Sequence, residues 1–139
     1  MLELKRINDD ISVSPQIRPD DMAALKAAGF ASVINNRPDG ESPDQADSST
    51  MEAAARAAGL DYHYIPLGRE GVSPQMVEET KSVLEGSTGP VLAFCRSGTR
   101  STTLWALSQA GKMPAQEIVA AAAHAGYDMS HLLAYLSQK

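Results

Sequence analysis

The chain has 139 residues, 43% hydrophobic and 21% charged, which fits one globular domain spanning residues 1–139 with a core of its own. A net charge of −5 and a pI near 5.1 argue against any general affinity for nucleic acid or anionic membranes. A single cysteine excludes an intramolecular disulfide, and neither a signal-peptide core in MLELKRINDDISV nor an apolar run of about 20 residues is present, so a soluble cytoplasmic protein is expected.

Residues 2–6 and 11–14 are predicted as two short strands joined by a turn at Asn8-Asp9-Asp10. Pro19 and Asp20 open a helix that continues to Ala28 and stops at Gly29. Ala31 to Asn35 is predicted as a buried strand, Arg37 to Glu41 as a loop, and residues 42–48 as a polar, mobile segment. A helix from Thr50 to Ala58 ends at Gly59, and a strand follows from Tyr62 to Leu67. Ser73 caps a helix that has Pro74 at its first position and runs to about Glu85. Pro90 to Phe94 is a continuous apolar strand, as a central strand covered on both faces requires. Helices are predicted over Ser101–Ala110, Pro114–Ala125 and Met129–Ser137. This alternation implies an α/β fold: a central, mostly parallel sheet with helical crossovers on both faces.

The chemistry lies in VLAFCRSGTRSTTLWAL, where a buried strand passes through a short loop into a helix. In an open parallel sheet, ligands bind beyond the carboxyl ends of the strands, and Cys95 stands at that point. The loop from Arg96 to Arg100 points backbone N–H groups inward as an anion-binding nest, with Ser97 and Thr99 adding hydroxyls. Gly98 permits the positive φ that such a curl needs, and the following helix adds its positive end. Arg100 supplies a planar fork for two oxygens of an oxyanion, with Arg96 as a second cation. Helix N-termini and neighbouring cations lower a thiol pKa from about 8.5 to roughly 3.5–7.5. Cys95 is therefore expected to be a thiolate nucleophile. A cysteine after an apolar strand is most often an inert core residue. The polar run Arg-Ser-Gly-Thr-Arg-Ser that follows reverses that reading. Ser101 reads first as the cap of the following helix and second as a hydroxyl donor to Cys95.

CRSGTRS resembles the active-site loop of rhodanese-type sulfurtransferases, in which four residues separate Cys from Arg. It is also similar to the loop of tyrosine and dual-specificity phosphatases, in which His precedes Cys and five residues separate it from an Arg followed by Ser or Thr. Together with INNRPDGE at 34–41, YIPL at 64–67 and VLAFCRSGTRS at 91–101, it makes nearly the whole chain resemble the bacterial phosphatase-like domain of beta-lactamase hydrolase-like proteins. That resemblance implies a dual-specificity-phosphatase-like fold, no cofactor, and either phosphatase or sulfurtransferase activity. It also implies a persulfide dioxygenase as partner.

Three features favour sulfane-sulfur transfer over phosphoryl transfer. Only four residues separate Cys95 from Arg100, Phe94 stands where phosphatases carry His, and Leu67-Gly68-Arg69-Glu70-Gly71 offers no Asp to protonate a leaving alkoxide. Cys95 would then take sulfur from a small donor such as thiosulfate or a persulfide and pass it to a thiol acceptor. Phosphomonoester hydrolysis through a phosphocysteine is the alternative, with Glu70 as its acid, and a non-catalytic oxyanion-binding module is a third reading. Arg37 reads equally as part of the anion site and as a solvated charge in a Pro-Asp-Gly turn. Asp39 reads first as part of that turn, with Asp39 or Glu41 as acid second, and Arg69 reads as a surface charge slightly ahead of a substrate contact. His63, His124 and His131 lack the spacing of a metal site, so no metal is expected.

Overall fold

The computed structural model describes residues 2–138. In chain order they form β1 (Lys5–Arg6), β2 (Ile11–Ser14), a 3-10 turn (Pro19–Asp21) leading into α1 (Met22–Ala27), β3 (Ser32–Asn35), α2 (Ser48–Ala57) and β4 (Asp61–Tyr64). α3 (Pro74–Gly86), β5 (Val91–Phe94), α4 (Thr99–Ser108), α5 (Ala115–His124), a second 3-10 turn (Ser130–Leu132) and α6 (Leu133–Ser137) follow. The strands make one sheet in the order β1-β2-β5-β3-β4, with β1 antiparallel and every other pair parallel. This is the expected α/β architecture.

Pleat alternation sorts the core into two layers. Val91 and Ala93 of β5 pack with Leu104, Trp105, Ile118 and Leu136 on the face covered by α3 to α6. Leu92 and Phe94 pack with Met22, Leu25, Met51 and Ala55 on the face covered by α1 and α2. Buried on both sides, β5 has no solvent face, and its unbroken apolar sequence follows from that. Among the described residues no helix is long and apolar enough to cross a membrane.

β1 covers only Lys5–Arg6 rather than the expected residues 2–6, and three further differences in boundary bear on the site. β4 ends at Tyr64 rather than Leu67. Pro66 has no N–H for the ladder, although Ile65 N still donates to Asn35 O at 2.9 Å and Leu67 N to Asn36 O at 3.0 Å. α2 starts at Ser48 because Asp47 caps it, its carboxylate accepting from Thr50 N at 2.9 Å. The segment before it is tied back by Gln45, whose side chain donates to Pro38 O at 2.9 Å. α4 starts at Thr99 rather than Ser101.

The connections place the site. β2 to β3 and β3 to β4 cross over through α1 and α2 on one face, while β4 returns to β5 through α3 on the other. The chain therefore leaves the carboxyl ends of the neighbours β3 and β5 toward opposite faces. A crevice opens there, and it is the place where open α/β sheets bind ligands.

Candidate active site

Cys95 is the first residue beyond β5 and is fully buried at the carboxyl end of that strand. The loop curls over it through Gly98, whose φ of +94° turns its N–H onto the sulfur at 3.0 Å. The loop's own hydroxyls bond each other: Ser97 Oγ donates to Thr99 Oγ1 at 3.1 Å. Outside the curl, Tyr127 Oη donates to Ser97 O at 2.9 Å. A Cβ on Gly98 would fall 2.2 Å from that phenol oxygen, so both backbone and packing demand glycine here. Burial first, and the charge of Cys95 second, push the Tyr127 phenol above its ordinary range, so it stays a neutral donor.

Ser101 does not cap α4. Gly98 holds the N-cap position, and Ser101 lies inside the first turn. There its side chain is buried, and Oγ has no hydrogen-bond partner among the described residues. Capping requires extended backbone just before a helix. The left-handed glycine takes that place three residues before Ser101.

Arg100 projects into the crevice and is held there by three bonds. Nη1 donates to Glu41 Oε2 at 2.7 Å and to Leu67 O at 2.8 Å, and Nη2 donates to Glu41 Oε1 at 2.9 Å. A guanidinium has five N–H donors. After these three bonds Nε–H and the second N–H of Nη2 remain, and the Cys95 side chain is a further hydrogen-bond partner of the guanidinium. The Glu41 hydrogen bonds, and after them the charge of Cys95, raise the Arg100 pKa against the effect of burial. Glu41 also accepts from Arg37 Nε at 3.0 Å. Bonded first to Arg100 and then to Arg37, its carboxyl falls from an ordinary 4.5 to about 2, despite partial burial. Arg37 is 5% exposed and also donates from Nη1 to Gln16 Oε1 at 3.0 Å, so it is a built part of the crevice wall rather than a solvated turn charge.

A cavity of about 500 Å³ opens above the loop, lined by Arg69, Arg96, Arg100, Glu41, Pro38 and Gly40, with Gly68. Arg69 and Arg96 are thus gathered at the mouth with Arg100. The proposed acids are not. Glu70 is exposed and does not line the cavity. Asp39 turns to α2, its Oδ1 accepting from Ser48 N at 2.8 Å, while its own N–H donates to Tyr64 Oη at 2.9 Å. Glu41 is present but ionised, and both its oxygens are taken. The clamp role of Glu41 and the outer wall of Tyr127 went unread in the sequence. Glu41 lies 59 residues from Arg100 and Tyr127 lies 30 from Ser97, so no local pattern joins them.

Comparison with known proteins agrees with this fold. Residues 3–112 match the family model described as beta-lactamase hydrolase-like protein, phosphatase-like domain. The beta-lactamase hydrolase-like protein of Xylella fastidiosa (strain Temecula1) is 31% identical over 140 residues, covering 99% of this chain and 32% of that protein. The chain thus spans about a third of the curated relatives it matches. A crystal structure from Neisseria meningitidis Z2491, described as a candidate phosphatase, superposes with a TM-score of 0.81 at 29% identity, covering 96% of this chain and 95% of that one. Tk-PTP shares the fold, with a TM-score of 0.70 at 18% identity and coverage of 98% and 97%.

Proposed function

The chain belongs to the phosphatase-like domain family of the beta-lactamase hydrolase-like proteins, and from that premise we propose that it is a cysteine-dependent phosphatase acting on phosphoryl groups with stable leaving anions. One observation carries the reading: Cys95 Sγ accepts the Gly98 N–H at 3.0 Å and lies within hydrogen-bonding and charge range of the Arg100 guanidinium. The sulfur attacks phosphorus, the bond from phosphorus to the leaving oxygen breaks, and a phosphocysteine forms. The loop amide and Arg100 hold the charge that develops on the equatorial oxygens. Water then attacks phosphorus, orthophosphate leaves, and the thiolate returns. Ser101 Oγ, buried without a partner, is the hydroxyl available to stabilise that thiolate as it departs.

The crevice supports only part of phosphatase chemistry. No protonated carboxyl faces it, because Glu41 is ionised at any pH well above 2 and Asp39 and Glu70 lie elsewhere. The leaving group must therefore depart as an anion, as aryl oxides and phosphates do and simple alkoxides do not. With the full chain, turnover of an aryl phosphate is expected to exceed that of an alkyl phosphate by at least about 10²-fold, the usual contribution of a positioned acid. Acid quench should trap one phosphoryl group on Cys95 by intact mass. Equal turnover of aryl and alkyl esters, or turnover that survives in Cys95→Ser, would sink the proposal.

The missing acid and the four-residue spacing of Cys95 and Arg100 specifically favour a second reading, sulfane-sulfur transfer. A thiolate or sulfite leaving group needs no proton. Incubation with thiosulfate or glutathione persulfide would then add one sulfur atom to Cys95, and a thiol acceptor would remove it. A persulfide dioxygenase partner belongs to this reading. A sulfur adduct with no phosphoryl turnover would put it first.

A further inference from the structure

Beside the catalytic crevice lies a second cavity of about 930 Å³, walled by the segment around Arg18 and the segment from Ser42 to Ala46. Arg18, Arg37, Arg96, Gln16 and Gln45 line it, with Asp44 as its one carboxylate. Arg96 lines both cavities, so its side chain stands between them. The distribution of ion pairs is informative. Of the chain's seven arginines, Arg6, Arg37, Arg56 and Arg100 pair with carboxylates. Arg18, Arg69 and Arg96 have no ion pair among the described residues, and all three line these two neighbouring cavities. In a chain of net charge −5, unpaired guanidinium groups have many carboxylates to choose from. Gathering them where they repel one another is unfavourable unless an anion enters between them. Asp44 stays ionised, its carboxyl held below the ordinary range first by the Ser42 hydroxyl and also by the charge of Arg37, so it offsets one of these positive charges and leaves the lining cationic.

We propose that this second cavity is an anion subsite, with Arg18 and Arg96 as its recognition groups, and that the substrate carries a second phosphate-class group beside the one Cys95 attacks. The inference rests on the phosphoryl reading of Cys95. The two cavities then divide the labour: the loop holds the reacting group, and Arg18 anchors a distal anion across Arg96. A phosphoanhydride or bisphosphorylated small molecule has the required charge, and a phosphate leaving group also suits a site without a general acid.

The test is calorimetric titration of the full-length Cys95→Ser chain with orthophosphate and with inorganic tripolyphosphate, which reaches beyond a single anion site. Tripolyphosphate is expected to bind at least about ten-fold tighter, one additional charge-assisted contact. Adding Arg18→Gln should reduce that ratio to about two-fold, while orthophosphate affinity falls by no more than about two-fold. Arg56→Gln removes the same charge from the ion-paired surface of α2 and serves as control. A ratio that Arg18→Gln leaves intact, or that Arg56→Gln lowers equally, overturns the subsite. Orthophosphate binding with no gain for tripolyphosphate also overturns it and leaves the phosphoryl reading standing. Arg18-dependent tripolyphosphate binding without orthophosphate binding also overturns the proposal, because it removes the phosphoryl reading of Cys95 on which it rests.

Discussion

Glu41 is the carboxylate on which the site's geometry depends, since it joins Arg37 on the β3 loop to Arg100 on α4. Glu41→Gln keeps the shape but loses the charge that aims Arg100. A misplacement of about 1 Å costs on the order of 10²-fold, so kcat/KM for an aryl phosphate should fall by about that factor, read by steady-state kinetics. The pH dependence has a definite sign. A carboxyl lowered from 4.5 to about 2 stabilises the fold fully above its unfolded value, and that contribution is lost as pH falls from about 4.5 to 2. Acid unfolding followed by circular dichroism should therefore lose part of its steepness in that window in Glu41→Gln. Ser101 gives the opposite split. Its buried hydroxyl has no partner, so Ser101→Ala should be neutral or slightly stabilising in chemical denaturation. The same change should slow phosphocysteine breakdown, visible as a larger trapped fraction at steady state. Cys95, Arg96, Gly98 and Arg100 were legible in CRSGTRS because one loop and one helix terminus hold them all. Glu41 was only one of several acid candidates, since its function depends on a partner brought close by the sheet.

At the level of elements, the caps decide where helices begin and thereby where loop residues point. Asp47 caps α2 and Ser73 caps α3, the latter accepting from Met76 N at 3.2 Å. Asp47→Ala should cost about 1 kcal/mol in urea unfolding and loosen the wall of the second cavity. The Ser73-Pro74 start was readable because cap and N1 proline stand together. The Asp47 cap was hidden in a polar stretch in which aspartates and serines compete for the role. The start of α4 was misread for a related reason: a serine looks like a cap, but Gly98 in the left-handed conformation already ends the loop. Gly98→Ala should be severely destabilising, because strain at φ +94° adds to the clash with Tyr127. Tyr127→Phe relieves none of the backbone strain, so the double variant should recover only part of the loss in thermal melts.

On the scale of the whole molecule, helix–strand alternation was enough to predict a parallel sheet, but strand order was not readable. The position of β5 between β2 and β3 arises because β4 connects back across the other face, a choice made by packing between distant elements. Charge distribution is also a global property. The net charge is −5, yet five arginines line the two neighbouring cavities against Glu41 and Asp44. Attraction of polyanions should therefore be local and sensitive to salt. Between about 50 and 500 mM salt, KM for a multiply phosphorylated substrate should rise several-fold with kcat little changed, as the screening length shrinks from about 14 Å to about 4 Å.

Trp105 is the chain's only tryptophan, 1% exposed and seated on the helix that grows directly out of the Cys95 loop. The protein thus has a single intrinsic chromophore of its kind, shielded from water and one and a half turns from Arg100 by helix geometry. Its emission should lie far to the blue in the folded state. Reddening would signal loss of the core on the α4 side, while a change in intensity at constant wavelength would register occupation of the loop. One optical signal can therefore separate unfolding from ligand entry in every variant discussed above, without a label.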